Sequence, residues 1–80
     1  MERKQIFEQL TDIFRDVMEN DNIVLKDSTS SDDIEEWDSL AHVQLMEAIQ
    51  RTFNVKISAK ELVMWANVGE MVDSLEKKIQ

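Results

Sequence analysis

Apolar positions along the chain fall at helical spacings, interrupted by one long polar connection. Ile6, Leu10, Ile13, Phe14 and Val17 lie four, three, one and three residues apart, which places them on one helix face. Phe7 and Met18 widen that stripe. The pattern predicts a first helix over residues 2–19, with Glu2 and Glu8 toward the half where the helix dipole favours acids. A second stripe runs through Leu40, Val43, Leu45 or Met46, Ile49 and Phe53, and predicts a helix over residues 39–53. His42, Gln44, Glu47 and Gln50 lie mainly outside its apolar face. Ser58-Ala59-Lys60-Glu61 has the S-x-x-E form of a capping box and opens a short third helix. Asn67-Val68-Gly69-Glu70 opens a last helix through about Lys78, with Val68, Met71, Val72, Leu75 and Ile79 inward. Met46, Met64 and Met71 fall where core is expected. The fold class that results is all-α: a bundle of three longer helices and one short third helix, with a long first loop.

Residues 20–37 form the connection. Asn20-Asp21-Asn22 is expected to stop the first helix, and Asp27-Ser28-Thr29-Ser30-Ser31-Asp32-Asp33 is rich in turn formers. Its low complexity predicts local mobility. Ile23, Val24 and Leu25 are expected to pin the first half to the core, and Ile34 and Trp37 the second. Loops of this length in small domains are often functional. The acidity suggests an EF-hand, but no glycine stands at the sixth position and no glutamate closes a twelve-residue loop.

Composition narrows the function classes. Eighty residues make a single domain, residues 1–80. No cysteine is present, which excludes disulfides, thiolate metal sites and cysteine nucleophiles. No proline and one glycine favour helices. No apolar run approaches the ~20 residues that a membrane span needs. The polar Met1-Glu2-Arg3-Lys4 leads directly into the first stripe, so the expectation is a cytoplasmic protein without a signal peptide. The net charge is −8 and is unevenly spread. Residues 27–50 hold seven acids and neither Lys nor Arg, whereas residues 51–80 hold four acids and five bases. Nucleic-acid binding is disfavoured, because phosphates require clustered cations. A concentrated negative face suits partners with a basic surface.

That face surrounds Ser39. Ser39 and His42, three apart, would stand on neighbouring turns, but nothing supplies an oxyanion hole or a group that orients the imidazole. Hydrolysis is therefore disfavoured, and His42 reads as a surface residue beside a binding site. One histidine among scattered carboxylates gives no dedicated metal site. As an attachment point, a serine in the first turn presents its hydroxyl beside unpaired amides, where a phosphodiester meets the positive end of the dipole. Capping alone also accounts for Asp38-Ser39-Leu40.

More than these three residues bear on the choice. Asp38-Ser39-Leu40 followed by Val43 and Leu45, then Phe53-Asn54-Val55-Lys56-Ile57 and Val68-Gly69-Glu70-Met71-Val72-Asp73, together resemble acyl carrier proteins. The similarity spans the chain and is strongest over residues 34–75. The resemblance implies a four-helix bundle that is a carrier and not an enzyme. Ser39 would receive 4′-phosphopantetheine from coenzyme A through a phosphopantetheinyl transferase. The arm would then carry acyl groups as thioesters between acyl-loading and acyl-transfer enzymes of fatty-acid, polyketide-like or other biosynthesis. Docking on basic patches of these enzymes would fall to Asp38, Leu40, His42 and Glu47, with Glu35 and Glu36, and the carrier would act as a monomer. Glu36-Trp37 stands where many fatty-acid carriers have glycine, and Gln44 where an acid is common. Trp65 lies on the side where such carriers sequester a chain. These departures suit a specialised stand-alone carrier for polyketide-like, aminoacyl or short-chain acyl groups. The competing reading is an unmodified acidic helical module that docks a partner through a Met-rich groove.

Overall fold

The four helices form close to where periodicity and capping place them, and the long connection is held more firmly than its composition suggests. The computed structural model describes residues 1–79. Four helices, α1 (Arg3–Met18), α2 (Ser39–Phe53), α3 (Ala59–Leu62) and α4 (Val68–Ile79), surround one core. A single 3₁₀ turn, Ser31–Asp33, lies in the first loop. Among the described residues there is no strand.

The helix α1 packs on both α2 and α4. Ile6, Leu10 and Phe14 are fully buried, as its stripe requires. It ends one residue earlier than expected. Glu19, not Asn20, makes the stop by adopting a left-handed conformation at φ 53°. Its N–H and that of Asn20 then donate back to the carbonyls of Asp16 and Arg15 at 3.3 and 3.0 Å, satisfying the open helix end.

Expected core positions on α2 are partly corrected. Ala41, Leu45, Met46, Ile49 and Phe53 face inward, but Leu40 and Val43 are 68% and 56% exposed. The helix carries apolar residues on more than one face, and nothing covers the side that holds Leu40 and Val43. Met64 is likewise exposed, because it lies beyond α3 on the outer side of the chain. In the extended stretch after α1, Ile23 is buried and Val24 exposed. Successive side chains of an extended chain alternate, so Ile23 and Leu25 pin the loop while Val24 points away.

The segment expected to be mobile is bonded to α4. Thr29 is buried, and its Oγ1 accepts from the Lys26 N–H at 2.9 Å. The Thr29 carbonyl accepts from the Val68 N–H at 2.8 Å, and the Asp27 carbonyl from the Gly69 N–H at 2.9 Å. Two donors at the open start of α4 are thus satisfied by the loop backbone. Asn67 Oδ1 accepts from the Glu70 N–H at 2.9 Å and completes the cap. Such an approach leaves no room for a side chain: a Cβ on Gly69 would lie 2.9 Å from the Asp27 carbonyl oxygen. Asp27 also binds through its side chain, to Arg3 at 2.5 Å. Arg3 reaches Asp73 at 2.7 Å and also pairs with Glu76, so one guanidinium joins α1, the loop and α4. These carboxylates hold it well above the usual guanidinium range.

The third helix begins with the capping box that Ser58 and Glu61 predict. Glu61 N–H donates to Ser58 Oγ, and Ser58 N–H to Glu61 Oε1, both at 3.2 Å. Lys78 reaches the Glu61 carboxylate at 2.9 Å and ties α3 to the end of α4. That lysine, together with Ser58, lowers the Glu61 carboxyl below its ordinary value of 4.5.

Two expectations follow. Helix propensity alone makes Gly69→Ala stabilising by about 1 kcal/mol. The contact with Asp27 reverses the sign, and urea unfolding should show a net loss of about 1–3 kcal/mol from overpacking. The second concerns acid. A lowered folded-state carboxyl contributes stability above the unfolded value and loses it as pH falls through the folded one. The stability gap between the wild type and Glu61→Gln should therefore be constant near neutrality and close progressively below about pH 4.5. A gap that widens in acid would contradict the assigned ion pair.

Candidate functional site

The site is built at the start of α2, where the loop delivers Asp38. The backbone of Asp38 is extended, and its Oδ1 accepts from the Ala41 N–H at 2.8 Å. This is the capping role read from the sequence. It fixes Ser39 as the first helical residue, with its side chain exposed to solvent. Glu35, Glu36, Asp38 and Glu47 are also exposed. Besides the Asp38 cap, two of these carboxylates have partners nearby: Glu36 accepts from Asn20 Nδ2 at 3.0 Å, and Glu47 pairs with Arg51 at 3.0 Å along α2. Both are surface contacts of small energetic weight.

His42 departs from the surface position expected for it. Its ring is half-buried and bonded at both nitrogens. Trp37 Nε1–H donates to His42 Nδ1 at 2.9 Å, so that nitrogen must be the acceptor. The proton is then on Nε2, which donates to the Leu62 carbonyl at 2.8 Å. The imidazole lies side by side with the Trp37 indole, the ring centres 5.9 Å apart and the planes 22° from parallel. Trp37 in turn meets the buried Phe14 edge-on at 5.0 Å. Neither nitrogen of His42 is available to activate Ser39 as a general base, which removes the geometric basis for a Ser–His hydrolase.

An open groove of about 660 Å³ starts at Ser39 and runs between α2 and the α3 region. Trp37, His42, Val43, Leu62 and Trp65 form much of its wall. Trp65 is half-buried and not fully enclosed, and its Nε1–H donates to Ser74 Oγ on α4 at 2.8 Å. Ser31, Val63 and Ala66 also line the groove, and none of them stands out as a site residue in the sequence. The apolar run Val63-Met64-Trp65, continuing past the short helix, is the signal that could have placed that wall. Among the described residues no cluster of His, Cys, Asp and Glu could hold a metal ion. No helix among them is long and apolar enough to cross a membrane.

The geometry fits a phosphodiester at Ser39. The hydroxyl is exposed, and α2 directs the positive end of its dipole at it. Comparison with known proteins identifies the family of the chain. Residues 8–75 match the family described as "Phosphopantetheine attachment site". No curated protein matches the chain. Among solved structures, a solution structure of a holo acyl carrier protein from Geobacter metallireducens superposes with a TM-score of 0.86. It is 40% identical, and the match covers 91% of this chain and 84% of that one. On the family match and this superposition, the chain belongs to the acyl carrier proteins, the family built around a phosphopantetheine attachment site.

Proposed function

We propose that Ser39 is the residue that takes the phosphopantetheine arm, and that the acidic surface around it docks the enzymes that load and unload the carrier. The observation that carries this reading is the placement of Ser39: exposed, in the first turn of α2, at the end of an open groove. Asp38 holds that turn in place. In the modification, Ser39 Oγ bonds to the coenzyme A phosphorus next to the pantetheine. The pyrophosphate bond breaks, adenosine 3′,5′-bisphosphate leaves, and the hydroxyl proton passes to the phosphopantetheinyl transferase. Once attached, the arm supplies a thiol that holds acyl groups as thioesters, a function that a chain without cysteine cannot provide itself.

Docking has both a charged and an apolar component. Leu40, Val43, Val63 and Met64 are exposed apolar side chains, and Glu35, Asp38 and Glu47 are exposed carboxylates. A partner with a basic rim and an apolar centre suits them, the charges steering encounter and the apolar groups giving up water on contact.

Two measurements test the proposal. Incubation with coenzyme A, Mg²⁺ and a broad-specificity transferase should add one phosphopantetheinyl group to the wild type and none to Ser39→Ala, by intact mass. The variant should keep its helicity by circular dichroism, since Asp38 retains the cap. Addition at another serine, such as Ser28, Ser30 or Ser31, would overturn the assignment. Glu35→Lys and Glu47→Lys should slow loading, most at low ionic strength, where exposed charges are least screened. Asp38→Asn removes charge while preserving a capping oxygen, so it should slow loading without loss of stability. Rates indifferent to charge and salt alike would contradict the electrostatic part.

A further inference from the structure

Both tryptophans of the chain wall the groove that starts at Ser39, and each uses its single donor to hold the bundle shut. Trp37 donates to His42, and His42 donates to the Leu62 carbonyl, at 2.9 and 2.8 Å. Trp65 donates to Ser74 at 2.8 Å. These bonds join the first loop to α2, α2 to the end of α3, and the segment after α3 to α4. Trp37 is braced behind by Phe14, which is fully buried. Beneath the groove, Leu45, Met46, Ile49, Met71 and Leu75 are at most 1% exposed. A long hydrocarbon chain entering the bundle would have to part α2 from α3. That motion breaks the relay at the His42–Leu62 bond and strands the Nε2 donor of His42 and the carbonyl acceptor of Leu62. It also displaces side chains from an interior with few voids larger than a water.

The space outside that barrier has a different character. At about 660 Å³ the groove lies within the range of small-ligand sites, roughly 300–1,000 Å³. Its walls combine the rings of Trp37, His42 and Trp65 with Val43 and Leu62. A group tethered at Ser39 is present there at high effective concentration, so weak apolar contact suffices to hold it.

We propose that the relay Trp37–His42–Leu62 determines cargo size: it keeps the bundle closed to long acyl chains and leaves a surface groove that receives a short one. The inference rests on Ser39 as the attachment point. The arm lies against the two tryptophans, and a short acyl group turns back onto their rings. A long chain exceeds the groove and extends into solvent.

The test uses the holo protein loaded with butanoyl or hexadecanoyl groups. Intact mass confirms one acyl group per chain before any other reading, so failure of the attachment itself is seen separately as an unloaded mass. The butanoyl form should show shifted tryptophan emission relative to the holo form. The hexadecanoyl form of the wild type should melt no higher than the holo form. In His42→Ala, hexadecanoylation should raise the thermal midpoint above that of the same variant's holo form. Trp37→Phe keeps an aromatic side chain but removes the pyrrole half of the indole with the N–H that fixes His42, so it should behave the same way even if His42→Ala folds poorly. A raised midpoint in the hexadecanoyl wild type, unchanged emission on butanoylation, or a Trp37→Phe variant indistinguishable from wild type would each overturn the proposal.

Discussion

The structure depends on a close backbone contact between the first loop and the start of α4. The carbonyls of Asp27 and Thr29 take the N–H groups of Gly69 and Val68, and the approach is possible because residue 69 has no side chain. This contact converts a long acidic connection into a fixed support. Downstream, Ile34 and Trp37 anchor the rest of the loop, and Asp38 arrives in the extended conformation that a cap requires. The position of Ser39 is therefore set by packing at a distance as well as by the helix that it begins. Arg3 reinforces the same junction from α1 through the Asp27 side chain.

A second constraint acts across the groove. The surface near Ser39 is charged and solvated, while the wall beside it is aromatic and hydrogen-bonded. A carrier needs both properties. In the proposed docking role the charged surface would release successive partners, which suits exposed groups with modest individual energies. The inner wall must keep a defined shape as partners come and go. The Trp37–His42–Leu62 relay meets that need by joining three segments through one neutral imidazole.

Much of this was legible in the sequence, for reasons that differ by element. The second helix was readable because Asp38 caps it and because Leu45, Met46, Ile49 and Phe53 repeat at helical spacing. The third was readable although only four residues long, since Ser58 and Glu61 satisfy each other's backbone. Leu40 and Val43 were misplaced because periodicity identifies apolar faces without saying which of them a neighbour covers. The role of His42 was hidden for another reason. One of its partners is a backbone carbonyl twenty residues away, and a carbonyl leaves no trace in the identity of Leu62. Gly69 was visible as the one glycine, but its necessity comes from a loop that composition alone made look mobile.

The proposed attachment of the arm at Ser39 is open to direct measurement in this chain. No Lys or Arg lies between Lys26 and Arg51, so trypsin releases residues 27–51 as one peptide. Fragmentation of that peptide from the holo protein resolves Ser39 from Ser28, Thr29, Ser30 and Ser31. The account predicts the whole phosphopantetheinyl mass on fragments that contain Ser39 and none on fragments ending before it. A modified fragment that stops short of Asp38, or an unmodified 27–51 peptide from a protein whose intact mass has increased, would contradict it.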